Sequence, residues 1–256
     1  MWDPEQYEVY ADERSRPFHE LLARVPAKQP RQVVDLGCGN GTLTATLAER
    51  WPEASVLGVD SSPEMLAATA GRELPGRLAF QLDTIQAWQP TRPVDVLVSN
   101  AALQWVPGHG DLLGRLVGSL VPGGWLAFQV PGNFDFPSHT ILTELCRSAR
   151  WRDRLGAVAD RGAAVLEPAD YLDLLATLGC QVDAWETSYL HVLDGPDPVL
   201  SWVRGAALRP VLAALGPAAG DFEHEYGARL RAAYPPRPYG TVFPFRRLFI
   251  TARRPS

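Results

Sequence analysis

The chain has 256 residues, of which 46% are hydrophobic and 21% charged, with a net charge of −5. That acidity argues against a broad electrostatic surface for nucleic acid. No apolar run reaches the ~18 residues of a membrane span, and the polar, acidic N-terminus does not read as a signal peptide. Cys38, Cys146 and Cys180 have neither metal-ligand spacing nor the even number of a disulfide framework, so a cytoplasmic protein without metal is expected. The length suits one domain, residues 1–256, around one sizeable core.

The first legible element is Val33-Val34-Asp35-Leu36, a buried-strand pattern that runs into Gly37-Cys38-Gly39-Asn40-Gly41. Glycine permits φ > 0 and close approach of a ligand to the backbone. Thr42 to Arg50 then has helical apolar spacing. Strand, glycine turn and helix open a doubly wound α/β domain, whose ligands sit beyond the carboxyl ends of the strands. The dinucleotide fingerprint is G-x-G-x-x-G. Here the spacing differs and Asp35 precedes the turn, which suits a cationic amino-acid tail better than a diphosphate. S-adenosylmethionine is therefore the expected cofactor, with Asp35, Gly37 and Gly39 against it; a dinucleotide site and a purely structural turn are the alternatives.

Ser55 to Val59 reads as a second strand ending in Asp60, roughly 20 residues past the glycine loop and placed to accept from both ribose hydroxyls. Ser61-Ser62-Pro63 supplies a helix cap and a first-turn proline. Asp60 has a plainer reading as that cap, a job either serine can do. Leu78 to Leu82 is the third strand, closed by Asp83-Thr84, where a carboxylate can accept from an adenine amino group. Val94 to Ser99 is the fourth, opening into Asn100-Ala101-Ala102-Leu103-Gln104-Trp105. Four polar strand ends at one sheet edge define the expected cofactor side: Asp35, Gly37, Gly39, Asp60, Ser61, Asp83, Thr84 and Asn100.

Asp111 to Leu120 reads as an amphipathic helix stopped by Val121-Pro122-Gly123-Gly124. Trp125 to Val130 is the fifth strand, followed by a loop and a helix from Ser138 to about Arg150. Tyr171 to Gly179 is another helix, and Val182 to Val192 alternates as a strand. The long segment 194–240 contains at least two helical patterns, near Val199 to Ala207 and Asp221 to Ala233, and insertions of this kind usually serve as lids. Val242 to Ala252 completes the sheet, expected antiparallel at its edge.

The ordered set of motifs resembles the seven-stranded S-adenosylmethionine-dependent methyltransferases. Trp2-Asp3-Pro4, Tyr7, Ala11 to Pro17, Leu21 to Pro26, Asn100 to Trp105 and Phe243 to Arg254 are similar to the trans-aconitate 2-methyltransferase family over nearly the whole chain. Asn40 departs from the proline often found there, and Thr42-Leu43 is less polar than usual; neither removes a ligand-facing carboxylate. The resemblance implies a Rossmann-like class I fold, a mostly parallel seven-stranded sheet with helical lid insertions, and a cap formed by residues 1–30 and 194–240. It also implies methyl transfer to a carboxylate of trans-aconitate, giving a monomethyl ester and S-adenosylhomocysteine. Methyltransferases acting on amide or base nitrogens carry Asn/Asp-Pro-Pro-aromatic after the fourth strand, and Asn100-Ala101-Ala102-Leu103 lacks both prolines.

A carboxylate of pKa near ~4 is ionised at neutral pH and needs no general base, whereas a phenol or ammonium near ~10 does. No catalytic base is therefore expected, and His19, His109, His139 and His191 read as structural. A tricarboxylate needs cations, and guanidinium forks suit carboxylates best. Arg14, Arg16, Arg204, Arg209, Arg246 and Arg247 are available, with Arg16 and Arg246 the first choice, although an exposed arginine is ordinarily a solvated charge. Tyr7, Trp105, Tyr189 and Tyr239 supply hydroxyls or apolar walls. The expected partner is a small tricarboxylate, with no nucleic acid or membrane, and a monomer is compatible with the composition. Two other readings stay open: methylation of a phenolic or quinone-like molecule, and cofactor binding without catalysis.

Overall fold

Apolar side chains leave both faces of the central strands, so the sheet must be covered on both. In β1 (Gln32–Leu36) Val33 faces one way and Val34 and Leu36 the other; in β4 (Val94–Asn100) Val96 and Val98 oppose Leu97. This two-sided burial is the mark of a sheet sandwiched between helices. The computed structural model describes residues 11–159, 165–205 and 207–256.

The strand order is β3-β2-β1-β4-β5-β7-β6, where β2 is Ser55–Asp60, β3 Leu78–Leu82, β5 Leu120–Pro131, β6 Gln181–Leu193 and β7 Thr241–Arg253. β1 to β5 pair in parallel, and β7 is antiparallel to both β5 and β6. The order reverses between β1 and β4, which places a crevice beyond their carboxyl ends. One face is covered by α1 (Ala11–Ala23) and α2 (Thr42–Arg50), through Phe18, Leu21, Leu22, Leu47 and Ala48. A short helix, α3 (Pro63–Ala67), follows β2. The other face is covered by α4 (His109–Gly118) and by α7 (Pro168–Thr177), which bury Leu113, Leu116, Tyr171 and Leu175.

A third apolar cluster joins α5 (Pro137–Arg147), α6 (Arg152–Ala159), α8 (Pro198–Arg204), α9 (Arg209–Leu215) and α10 (Ala219–Ala233) to Phe243 and Phe245. β5 pairs with β7 only as far as Arg247, so Thr241 to Arg246 continue with β6 as a two-stranded arm beyond the parallel sheet. That arm carries the helical cluster.

Three expectations change. β7 is antiparallel but internal, and β6 is the edge strand. Val121 to Gly124 lie within β5, where the register jumps from Val94↔Leu120 to Val96↔Trp125; Gly123, at φ +76°, bonds to the Arg254 carbonyl through its N–H. α6 and α9 were not foreseen, being short and weakly patterned. Among the described residues no single helix is long and apolar enough to cross a membrane, and the three cysteines are buried free thiols.

Candidate active site

The turn after β1 is built without side chains because several backbones meet there. Gly37, Gly39 and Gly41 have φ of +82°, +56° and +75°. A Cβ on Gly37 would stand 2.2 Å from Ala102 Cβ, and one on Gly41 2.6 Å from the Phe80 ring, whereas Gly39 faces open space. Gly39 is thus the bare point of the cradle. Asn40 closes a side-chain turn just before the helix, its Oδ1 accepting from Thr42 N at 3.2 Å, while Gly41 holds the N-cap position.

The loop's amides are largely spent on the protein. Gly37 N and Cys38 N both donate to the Val59 carbonyl, Gly41 N donates to the Cys38 carbonyl, and Gly39 N donates to Asp60 Oδ2 at 2.8 Å. A diphosphate cradle needs such N–H groups aimed at the ligand. Two carboxylates flank the loop instead. Asp35, only 2% exposed, accepts from Thr44 Oγ1 at 2.7 Å through Oδ2, while its Oδ1 has no hydrogen-bond partner. Burial pushes its carboxyl up to about 6, and the charge of Asp60 adds to the rise. A cation beside Asp35 relieves both penalties, so the donor set fits a sulfonium amino acid and not a dinucleotide.

Asp60 also accepts from Ser62 N at 2.9 Å, so its two oxygens tie the glycine loop to the turn after β2. The helix cap is Ser62, whose hydroxyl accepts from Met65 N, which removes the plainer reading of Asp60 as the cap. Ser61 is exposed beside it. Asp83 accepts from Thr84 N at 2.7 Å, and its own N–H donates to the Asp60 carbonyl, which sets the three strand ends side by side.

At the end of β4, Ala101 has φ +53°, the one non-glycine residue with positive φ among those described. Its N–H donates to the Gln129 carbonyl at 3.0 Å and its carbonyl accepts from Gln104 Nε2 at 2.6 Å. Strained backbone of this kind collects at ligand sites. Asn100, just before it, accepts from Gln129 Nε2 at 2.7 Å. Trp105, in the turn Leu103–Trp105, is 54% exposed.

The arginines separate. Arg246 is directed to the α7 face of the sheet, where it reaches Glu167 Oε2 at 2.6 Å and Glu186 Oε2 at 2.5 Å. Those two carboxylates raise its pKa further and hold it in an ion pair on that face, where sequence reasoning expected it at the acid. Arg247 emerges on the α1 face, its guanidinium 4.5 Å from the Phe245 ring centroid and its Nη1 bonded to Gln129. Arg16 lies on that side too, 4.9 Å above the Tyr189 ring, with Glu20 accepting from both Arg16 Nε and the Tyr189 hydroxyl. His191 stacks between Tyr189 and Trp202; burial, with Arg247 and Arg16 nearby, drives it down to about 4. Arg204 is paired with Glu223, and Tyr239 accepts from Arg237. Tyr7 and the side chain of Arg14 lie outside the described residues.

Sequence reasoning missed Gln129 and Asn133. Each is a lone polar residue next to apolar strand, which is the available signal. Asn133 is fully buried in the loop after β5, and neither atom of its amide has a hydrogen-bond partner.

This crevice, with a glycine turn at its base and acids at three adjacent strand ends, defines an S-adenosylmethionine-dependent methyltransferase of the doubly wound class. The family profile described as "Methyltransferase domain" matches residues 9–184. A phosphoethanolamine N-methyltransferase 2 from Haemonchus contortus, solved with phosphomonomethylethanolamine and S-adenosylhomocysteine, superposes with a TM-score of 0.57 at 14% identity, covering 93% of this chain and 52% of that one; it shares the fold. The trans-aconitate 2-methyltransferase of Streptomyces avermitilis is 54% identical over 99% of this chain and 97% of its own. That of Rhodococcus jostii is 53% identical over 99% of each. The chain belongs to the trans-aconitate 2-methyltransferase family.

Proposed function

We propose that the protein transfers the methyl group of S-adenosylmethionine to one carboxylate of trans-aconitate, giving a monomethyl ester and S-adenosylhomocysteine. The observation that carries this reading is 54% identity over essentially the full length, cap included, to an enzyme named for that substrate. In the cofactor half, Asp35, Gly37 and Gly39 receive the methionine tail, Asp60 and Ser61 the ribose, and Asp83 and Thr84 the adenine. In the acceptor half, Arg16 faces the acid and Trp105 walls the mouth, with Asn100 at the boundary between cofactor and acid and Arg247 behind it. A cap of residues 1–30 and 194–240, of which 1–10 and 206 lie outside the described residues, belongs to this reading of a single domain, and three buried free thiols favour a reducing compartment such as the cytoplasm.

S-adenosylmethionine supplies a methyl already activated on a sulfonium. The chain's residues then need to align an ionised carboxylate with it and exclude water. No base is required, since a carboxylate of pKa near ~4 carries no proton at neutral pH. The histidines agree: His139 and His191 are pushed down to about 4, chiefly by burial, and are neutral at pH 7. Incubation with labelled S-adenosylmethionine and a panel of di- and tricarboxylates, with the ester identified by mass, tests the assignment. Trans-aconitate should give the fastest labelling; label in none of the acids would refute it.

A further inference from the structure

Asn100, Gln129 and Arg247 stand on three neighbouring strands, β4, β5 and β7, at the carboxyl edge and on the face that α1 covers. Gln129 is 1% exposed and Arg247 6%. Arg247 Nη1 donates to Gln129 Oε1 at 3.3 Å, and Gln129 Nε2 donates to Asn100 Oδ1 at 2.7 Å. The direction of this relay is dictated from its cationic end. A guanidinium has donors and no acceptor, so Gln129 must turn its oxygen to Arg247 and its NH2 to Asn100. Asn100 must answer with its oxygen, and its own NH2 is left on the opposite branch of the amide. No hydrogen bond from that NH2 is formed among the described residues. A second clamp fixes the corner: the Gln129 carbonyl accepts from Ala101 N, the residue in the left-handed conformation, and Ala102 packs on Gly37 of the glycine turn.

We propose that Arg247, acting through Gln129, locks the Asn100 amide with its NH2 toward the ligands and so makes Asn100 a hydrogen-bond donor to a carboxylate. That carboxylate belongs either to the methionine tail of S-adenosylmethionine or to the acceptor acid. Asn100 is the binding residue; Gln129 and Arg247 are positioning residues. The identity of the ligands rests on the methyl-transfer reading. Asparagine in this place has no fixed polarity of its own, because its two ends are nearly the same shape; the arginine two strands away supplies it.

Gln129→Glu separates this role from mere packing. A carboxylate pairs with Arg247 at least as well as the amide does, so a structural role predicts an unchanged or higher melting temperature and normal binding. The relay predicts that Asn100 turns over, offering NH2 to the new acid and its oxygen to the ligand, with a 10- to 100-fold loss in carboxylate affinity. Asn100→Asp is the second variant: it still accepts from Gln129 at a half-buried site, so the fold is retained, but presents an anionic oxygen outward. Calorimetry gives the Kd for S-adenosylmethionine, and kinetics give KM and kcat for trans-aconitate. A raised Kd assigns the bond to the methionine carboxylate; a raised KM with unchanged Kd assigns it to the acid. Arg247→Lys, donor-only like arginine, should retain most of the affinity that Arg247→Met loses. Wild-type Kd and KM in both Gln129→Glu and Asn100→Asp would overturn the relay. If the wild type is inert toward trans-aconitate, the substrate reading fails separately, and an unchanged Kd in both variants then overturns the relay as well.

Discussion

Arg246 and Arg247 are consecutive in the chain and serve opposite faces of the sheet. Strand alternation sends the first to Glu167 and Glu186 beside α7, and the second to Gln129 and the Phe245 ring on the α1 face. Arg246→Ala should therefore lower stability by about 1 kcal/mol, a figure kept small because both glutamates are largely exposed and screened. KM for trans-aconitate and Kd for S-adenosylmethionine should stay at wild-type values. Thermal unfolding and steady-state kinetics on one preparation check both halves; a raised KM with an unchanged melting temperature would return Arg246 to the acceptor site.

Asp60 joins the glycine loop to the turn after β2 and is the proposed ribose acceptor. Asp60→Ala removes two backbone clamps together with the ligand bonds, so S-adenosylmethionine binding should weaken by roughly 1 to 3 kcal/mol. Gly37→Ala should cost a similar amount, because its Cβ would meet Ala102 at 2.2 Å at a φ of +82°. Calorimetry with S-adenosylmethionine reads both, and wild-type affinity in either variant removes that residue from the site.

Asp35 should make cofactor binding depend on pH. Its carboxyl is pushed up to about 6 by burial, with Asp60 adding to the rise, against ~3.9 in an unfolded chain. Between those values the folded protein without ligand keeps a proton that the unfolded chain has lost. Stability contributed by this group is therefore present at low pH and declines as pH rises from about 4 to 6. A cationic ligand favours the carboxylate, so affinity for S-adenosylmethionine should increase across the same interval and level off near pH 7. Asp35→Asn should abolish that slope. Equal wild-type affinities at about pH 5 and pH 7 would show that no cation faces Asp35.

The rate should be nearly flat with pH from about 6 to 8. The acceptor is ionised throughout, and His139 and His191, both near 4, do not change charge there. Replacing His109, His139 or His191 singly by Gln should leave turnover in place at saturating substrates. A phenolic acceptor would instead give a rate that climbs through the pKa of a base, with one histidine variant losing about 10² to 10⁴ in rate. Measuring kcat against pH distinguishes the two.

The cofactor half of the molecule was legible because its signals are local: an apolar run, an acid and a glycine turn recur in one stretch of chain, and Asp35, Asp60 and Asp83 each end a strand. The acceptor half depends on neighbours distant in sequence. Nothing in Phe245-Arg246-Arg247-Leu248 says which arginine faces α1, since both strand faces are apolar and the alternation has no polar side to mark it. Gln129 looked like one polar residue in the run Trp125 to Val130, and its partners become visible only once β4, β5 and β7 lie side by side. β7 was read as the edge because it comes last, whereas hydrogen bonding inserts it between β5 and β6.

That insertion governs how the sheet can be completed during synthesis. β6 touches β5 nowhere in the strand order and joins the sheet only through β7. Until residues 241–253 have emerged from the ribosome, β5 is an open edge and β6 has no strand to pair with. Such an unpaired apolar edge is a hazard for aggregation. A nascent chain or truncation product ending anywhere between β6 and β7 should be a substrate for chaperones and proteases, even though its glycine loop and first five strands are entirely present.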